Sequence, residues 1–324
     1  MTRLVIQIPC LDEALTLPAT LADLPRSLPG ITDIRVLVVD DGSRDDTASV
    51  ARAHGVEHVV RHTHNQGLGR AFRTGLDQAL KLGADIIVNL DGDGQYRGAD
   101  IASLIAPLQT GSADIVIGDR QPARNPEFNL LKRGLQWLGS HAVRTLSGID
   151  TPDAVSGFRA ISREAALRLN ILSQFSYTVE MIIQAAHRQM RVVSVPVSTN
   201  PARRPSRLFR NLPHFVGRQL VTMLRMYAMY RPTRLFFFSG GLFALLGLLP
   251  ILRFLLYYLA GDGAGHIQSL LLGGVLTTVG FLLFVAGILA DLIAMNRQIL
   301  ELTLEKVRRV ELQDTETPSH HDDL

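Results

Sequence analysis

The chain has 324 residues, 47% of them hydrophobic, a formal charge of +3 and one cysteine, Cys10. That length gives room for one large or two modest domains with a substantial core, and a lone cysteine excludes an internal disulfide and suits a reducing compartment. The small net charge hides an uneven distribution: from Arg203 to Arg234 every charged side chain is an arginine, whereas the tail beyond Arg297 is mixed to acidic.

The opening stretch MTRLVIQIPC lacks the order of charged, apolar and small residues that marks a secretory signal, so it predicts a strand and a cytoplasmic start. Strands are predicted over 3–9, 34–40, 57–62, 85–91 and 114–119, alternating with helices over 13–24, 46–55, 69–83 and 99–111. An amphipathic helix over 175–190 and a last strand in MRVVSVPV follow. Alternation of this kind implies a mainly parallel sheet covered by helices on both faces, with ligands bound beyond the carboxyl ends of its strands.

Four polar loops fall at that edge: PCLDE (9–13), DDGSRDDT (40–47), HNQGLG (64–69) and DGDGQ (91–95). Taken singly, Asp45 or Asp46 reads as a helix cap and Gly42 as a tight turn. Four such loops on one rim indicate a binding site. GLGRAF fails the dinucleotide fingerprint because Phe72 stands where a small residue is needed, and no phosphate-loop lysine pattern occurs, which argues against nicotinamide and Walker-type enzymes. Asp91 and Asp93, separated by glycine just past a strand, can converge on one hard divalent cation, with Gln95 adding an oxygen. The alternative is an Asp-Gly turn with solvated acids.

Near the C-terminus two stretches, about 235–260 and 267–292, are apolar for long enough to span a bilayer. Arg225, Arg231 and Arg234 precede the first and Arg297 follows the second, so the positive-inside rule puts both chain ends in the cytoplasm. Arg253 lies in the first span, nearer the turn, where it reads either as a functional intramembrane charge or as a side chain snorkelling to headgroups. The arginine-rich segment before it suits helices lying in the headgroup layer better than a nucleic-acid patch. The expected organisation is a body over 1–200, a basic interface segment over 201–233, a hairpin over 234–294 and a cytoplasmic tail over 295–324, helical at first and then polar.

Read together, IQIPCLDEA, VLVVDDGSRDDT, HNQGLGRAFRTGL, NLDGDGQ, VIGDR, DAVSGFRAISREAA and RPSRLF resemble glycosyltransferase family 2, in its dolichyl- and polyprenyl-phosphate hexosyltransferase branch, over about residues 3 to 232. The resemblance implies an α/β, GT-A-like nucleotide-sugar-binding domain followed by interface helices and two transmembrane helices. It places the donor nucleotide on Pro9, Leu11, Glu13, Asp40, Asp41, Gly42, Ser43, Asn65, Gly67, Arg70 and Asp91, and leaves Cys10 as packing. Asp91, Asp93 and Gln95 would bind Mg²⁺ or Mn²⁺ with the donor diphosphate.

On the acceptor side, Arg120, Arg133 and Ser156 match positions associated with the acceptor phosphate. Arg203, Arg204 and Arg207 belong to a loop expected to close over the diphosphate. Asp93, Asp153 and Arg159 are the expected catalytic set, with Asp153 either orienting the acceptor, acting as a base or serving the structure. Glu180 reads as a buried arginine partner or an acceptor-site residue. The implied partners are a nucleotide-diphosphate sugar (UDP-glucose, UDP-N-acetylglucosamine or GDP-mannose), a polyprenyl phosphate, the cell (inner) membrane and a second copy of the chain; nucleic acid is not among them. A processive polysaccharide synthase would show more spans and a Q-x-x-R-W element, but the one tryptophan, Trp137, stands in LQWLG. A non-catalytic scaffold would have no need of the Asp91–Asp93–Gln95 set.

Overall fold

Arg3–Cys10 forms β1, and seven of its eight residues are buried, as a strand covered on both faces requires. The computed structural model describes residues 2–121, 130–173, 177–201 and 232–316 except 262–263, with 217, 221, 225 and 227–230 besides; the side chains of 130–133, 135–138, 264 and 314–316 lie outside this set. After β1 come β2 (Asp33–Asp40), β3 (His58–Arg61), β4 (Ile86–Asn89), β5 (Ile115–Asp119), β6 (Arg159–Ser162) and β7 (Val192–Pro196). They form one seven-stranded sheet in the order β3-β2-β1-β4-β6-β5-β7. The β1–β2, β1–β4, β2–β3 and β5–β7 pairs are parallel; β6 runs antiparallel to both β4 and β5.

Between the strands lie α1 (Leu17–Ala22), α2 (Thr47–Ala53), α3 (Leu68–Lys81), α4 (Ile101–Gln109), α5 (Leu130–Ser147), α6 (Arg163–Arg168) and α7 (Thr178–His187). α3 buries Ala71, Phe72, Gly75, Leu76, Ala79 and Leu80, a stripe at three- and four-residue spacing that faces the sheet. Leu4, Ile6 and Ile8 of β1 pack with Val38, Val88, Ile101, Leu104 and Phe158 in the core. Each such side chain contributes about 1.5–3 kcal/mol by leaving water.

The chain divides into two compact bodies, residues 1–223 with 304–324, and residues 224–303. The first therefore includes the end of a long last helix, α9 (Ile267–Glu316). There Arg308 donates to the carbonyls of Leu167 and Leu169 at 3.4 and 2.9 Å, where α6 ends, and lies 3.2 Å from Asp77 of α3. Arg309 donates to both carboxylate oxygens of Glu164, at 3.1 and 2.5 Å, and Leu312 is buried.

The second body pairs α8 (Pro232–Leu259) with the first part of α9. Both helices are long and apolar enough to cross a membrane. They meet through glycines spaced by seven: a Cβ on Gly240 would stand 2.9 Å from the Gly280 carbonyl, and one on Gly247 would stand 2.8 Å from that of Gly273. Without side chains there, the backbones approach closely enough for dispersion contacts to hold the pair. Thr233 closes one end by donating to Asp291 at 2.7 Å.

Candidate active site

β1 has β2 on one side and β4 on the other, so the loops leaving β1 and β4 part at the point where strand order reverses. Crevices in such sheets form there. The loop after β1 is stitched to the loop after β2. Asp12 donates its N–H to Ser43 Oγ at 2.9 Å, Glu13 to Thr47 Oγ1 at 2.9 Å and Ala14 to Asp45 Oδ2 at 3.0 Å. Arg44 N–H answers on Asp12 Oδ1 at 2.8 Å. This stitching keeps residues 11–14 out of the helix predicted from 13. Asp46 stands at the N-cap of α2 without a side-chain cap hydrogen bond, and Asp45 Oδ1, one residue earlier, accepts from Thr47 N–H at 3.1 Å.

The two acids of DDGS face different duties. Asp40 is wholly buried; its Oδ1 accepts from Ser43 N–H at 2.9 Å. Its Oδ2 has no hydrogen-bond donor, although Arg61 Nε stands 3.1 Å away as an ion-pair partner. Asp41 holds the third loop, accepting from the N–H groups of Gln66 and Gly67 at 2.9 Å each. It also pairs with His62 Nδ1 at 2.7 Å, and His62 Nε2 lies 3.0 Å from Thr74 Oγ1. Gly42, at φ 74, leaves no room for a side chain: a Cβ would stand 2.7 Å from Asn65 N. Asn65 Oδ1 accepts from Gly67 N–H at 2.9 Å. Arg70 is exposed and donates to Gln66 Oε1 at 3.0 Å. Pro9 and Glu13 are buried beneath, with Leu11 partly open.

DGDGQ leaves the end of β4 as a tight hook. Gly94 takes φ 72, and Asp93 Oδ1 accepts from Gln95 N–H at 3.0 Å. Cys10 lies under it, since a Cβ on Gly92 would meet the sulfur at 2.8 Å. Burial raises that thiol well above its usual pKa, which keeps it protonated and fits a packing role. Asn200 holds the hook from the side, its N–H donating to the Gln95 carbonyl at 2.8 Å and its Nδ2 to that of Gly94 at 3.1 Å.

Burial and the neighbouring charge of Asp93, opposed by Arg120, push the Asp91 carboxyl up to about 7. Two acids that repel each other in this way are the donor set a cation relieves. Among the described residues no group of three or more His, Cys, Asp and Glu side chains gathers as a metal site. Two carboxylates and one amide are nevertheless what Mg²⁺ takes from a protein when water and phosphate fill the rest. The residues present fit a divalent cation.

Gly157, from the loop entering β6, backs this hook. A Cβ there would lie 2.7 and 2.9 Å from the two oxygens of Asp91. The glycine is fixed at both backbone groups. Its N–H donates to Tyr96 Oη at 3.1 Å, and its carbonyl accepts from Asn89 Nδ2 at 2.8 Å and Tyr177 Oη at 3.0 Å. Asn89 is itself held by Gln7 Nε2 at 2.9 Å, and Tyr177 stacks on Phe72 with centroids 3.7 Å apart. Sequence reasoning missed Asn89, Tyr96, Tyr177 and Asn200. A polar residue closing the buried run IIVN is the one signal that could have exposed Asn89.

Arg120 forks onto Asp153, Nε to Oδ2 at 2.7 Å and Nη2 to Oδ1 at 2.9 Å, and Asp153 is wholly buried. Ser156 is buried as well, its Oγ 3.5 Å from Tyr96 Oη. Arg159, also fully buried, donates to the carbonyls of Ser156, Thr178 and Ala154 at 2.9, 2.8 and 2.8 Å. Its guanidinium thereby ties the loop before β6 to the start of α7. Glu180 accepts from the N–H groups of Leu172 and Ser173 at 2.9 and 2.8 Å. The side chain of Arg133 and residues Arg203, Arg204 and Arg207 lie outside the described residues.

Residues 5–169 match the family model described as "Glycosyl transferase family 2". The chain is 31% identical over 206 residues to an undecaprenyl-phosphate mannosyltransferase of Micrococcus luteus, covering 60% of this chain and 83% of that protein. It is 33% identical over 190 residues to a UDP-N-acetylglucosamine–dolichyl-phosphate N-acetylglucosaminyltransferase of Methanococcus voltae, covering 51% and 74%. Among solved structures, glucosyl-3-phosphoglycerate synthase of Mycobacterium tuberculosis, in complex with Mn²⁺, UDP-glucose and phosphoglyceric acid, superposes with a TM-score of 0.56 at 23% identity, over 70% of this chain and 80% of that one. The hook, the stitched loops and a family match over half of its length agree: the chain belongs to glycosyl transferase family 2.

Proposed function

We propose that this glycosyltransferase moves a hexose from a nucleotide-diphosphate sugar to a polyprenyl phosphate at the cytoplasmic leaflet, by one inverting displacement. The observation that carries the reading is the contact of two motifs: the acidic hook of DGDGQ and the glycine of D-x-x-S-G-F-R stand against each other, with Gly157 at Asp91. A donor diphosphate and an acceptor are thereby served by neighbouring backbone. The relatives named for undecaprenyl and dolichyl phosphate support the acceptor class. The two apolar helices support an anchor beside a lipid substrate. Arg225, Arg231, Arg234 and Arg297 favour cytoplasmic chain ends.

In this reading the buried Asp40 fixes the DDGS loop through Ser43 N–H and so shapes the wall that meets the nucleoside base. Asp41 shapes the third loop around it, leaving Asn65, Gly67 and Arg70 toward the donor. Asp91, Asp93 and Gln95 would hold Mg²⁺ or Mn²⁺, which would supply positive charge against the departing nucleoside diphosphate. A phosphate monoester is already dianionic in large part, so its oxygen bonds to the anomeric carbon without a dedicated base as the bond to the diphosphate breaks. Arg120, oriented by Asp153, supplies the positive charge for that phosphate. Arg159 is a positioning residue, and Ser156 keeps the acceptor loop in register. Arg203, Arg204 and Arg207 close over the diphosphate; Asn200, three residues earlier, already grips the hook.

Membranes carrying the chain, incubated with labelled nucleotide sugars, Mn²⁺ and undecaprenyl phosphate, test the proposal. Label in the lipid extract with one donor supports it, and no lipid label with any donor overturns it.

A further inference from the structure

Within the apolar parts of α8 and α9 only two side chains carry charge, Asp291 and Arg253. Asp291 is answered by the Thr233 hydroxyl at 2.7 Å. The glycine contacts set the level of Arg253. Gly240 lies against Gly280 and Gly247 against Gly273, so Arg253 stands beside the first turn of α9. From Thr233 to Arg253 the helix rises about 30 Å, at 1.5 Å per residue. That rise equals the hydrocarbon thickness of a bilayer. The hydrogen-bonded Thr233–Asp291 pair therefore marks one edge of an apolar slab, and Arg253 marks the other, on the side of the turn.

Arg253 is not isolated at that edge. Its guanidinium carbon lies 5.8 Å from the centre of the Tyr257 ring, and Tyr257 stacks on His266 with centroids 3.8 Å apart and planes 6° from parallel. Arg253 and Tyr257 are exposed. At the opposite end of the same body, Arg297 stacks on Tyr230 at 4.5 Å and also meets a carboxylate, Glu301, at 2.8 Å. Arg253 has the aromatic partner and, among the described residues, no carboxylate. A cation at the boundary of hydrocarbon and headgroups, oriented by an aromatic ring and with no carboxylate partner among the described residues, is completed by a lipid phosphate, which a guanidinium fork binds through two oxygens.

We propose that Arg253, Tyr257 and His266 form a binding site for the phosphate of an anionic phospholipid in the leaflet on the side of the turn. The site is separate from the transferase site and rests on the reading of α8 and α9 as membrane spans. Its effect is to fix the depth of the hairpin from the leaflet on the side of the turn.

Photo-crosslinking of the full chain in vesicles of phosphatidylcholine and phosphatidylglycerol tests it. Phosphatidylglycerol carrying a headgroup diazirine is expected to label the peptide spanning Arg253–His266. The yield there falls about fivefold in Arg253→Gln, as loss of one arginine–phosphate attraction implies. It falls comparably in Tyr257→Leu and is largely kept in Arg253→Lys, whose charge remains. Label on the arginine segment 203–234 stays constant and serves as the internal control. Equal labelling of the Arg253–His266 peptide in wild type and Arg253→Gln overturns the proposal, as does its loss on adding inorganic phosphate, which would make the site one for a soluble anion. A second lipid, with the diazirine in its acyl chain, separates the two levels of inference. If it labels neither α8 nor α9, the membrane reading fails and the site fails with it; if it labels both while the headgroup result is negative, the site alone is refuted.

Discussion

Gly157→Ala isolates the contact between the two motifs. The new methyl would sit 2.7 Å from Asp91 Oδ2 and 2.9 Å from Oδ1, roughly half an ångström inside normal carbon–oxygen contact. Gly157 cannot retreat, because both its N–H and its carbonyl are bonded to buried side chains. The carboxylate must turn instead, and overpacking of this kind costs about 1–3 kcal/mol. If that cost falls on the cation-binding rotamer of Asp91, Mn²⁺ affinity weakens by about one to two powers of ten. Mn²⁺ binding, followed by electron paramagnetic resonance with nucleoside diphosphate present, is the assay, beside a thermal melt to show that the variant folds. A folded Gly157→Ala protein that binds Mn²⁺ as wild type does would refute the coupling.

Asp93→Asn is expected to abolish transfer of label to lipid, and turnover surviving in that variant would remove the cation from the reading. Asp153→Asn, which leaves Arg120 without its charged fork partner, should raise KM for the lipid phosphate at least tenfold while nucleotide binding by calorimetry stays close to wild type. Gly280→Leu places a Cβ 2.8 Å from the Ala244 nitrogen and should lower the melting temperature of the detergent-solubilised protein; Gly274→Leu, where nothing lies within 4 Å, should not. The hydrogen bond from Arg309 lowers the pKa of Glu164, so its contribution to docking residues 304–313 is present above the unfolded carboxylate range near 4.5 and is lost as pH falls through the lower folded value. Amide exchange in that segment should therefore rise selectively on acidification, and Arg309→Gln should show the faster exchange already at neutral pH.

Most of the sheet was legible because its strands are continuous apolar runs punctuated by glycine and acid, as in DIIVNLD. The four polar loops were legible for the same reason: they interrupt that rhythm at one rim. β6 was not, since RAIS is only four residues long and directly follows a motif that drew attention for its chemistry. The late start of α1 was hidden because Glu13 and Ala14 form hydrogen bonds with residues some thirty positions away. The same distance effect concealed the partners of Arg308 and Arg309, which lie on α3 and α6. Phe72 was noticed only as the residue that spoils a fingerprint. Its ring against Tyr177 shows why a large side chain is wanted there: it helps set the hydroxyl that fixes Gly157.

The reversed direction of β6 between β4 and β5 has a consequence for how the molecule gathers its chemistry. Every parallel strand delivers functional residues only as the chain departs from it. A strand laid the other way delivers them on arrival, so Asp153 to Phe158 reach the same brink as the acids that trail β4 without an added excursion around the sheet. Were that segment turned to match its neighbours, residues 153–158 would emerge at the far margin, a full strand length from Asp91, and the two motifs would be stranded on opposite shores.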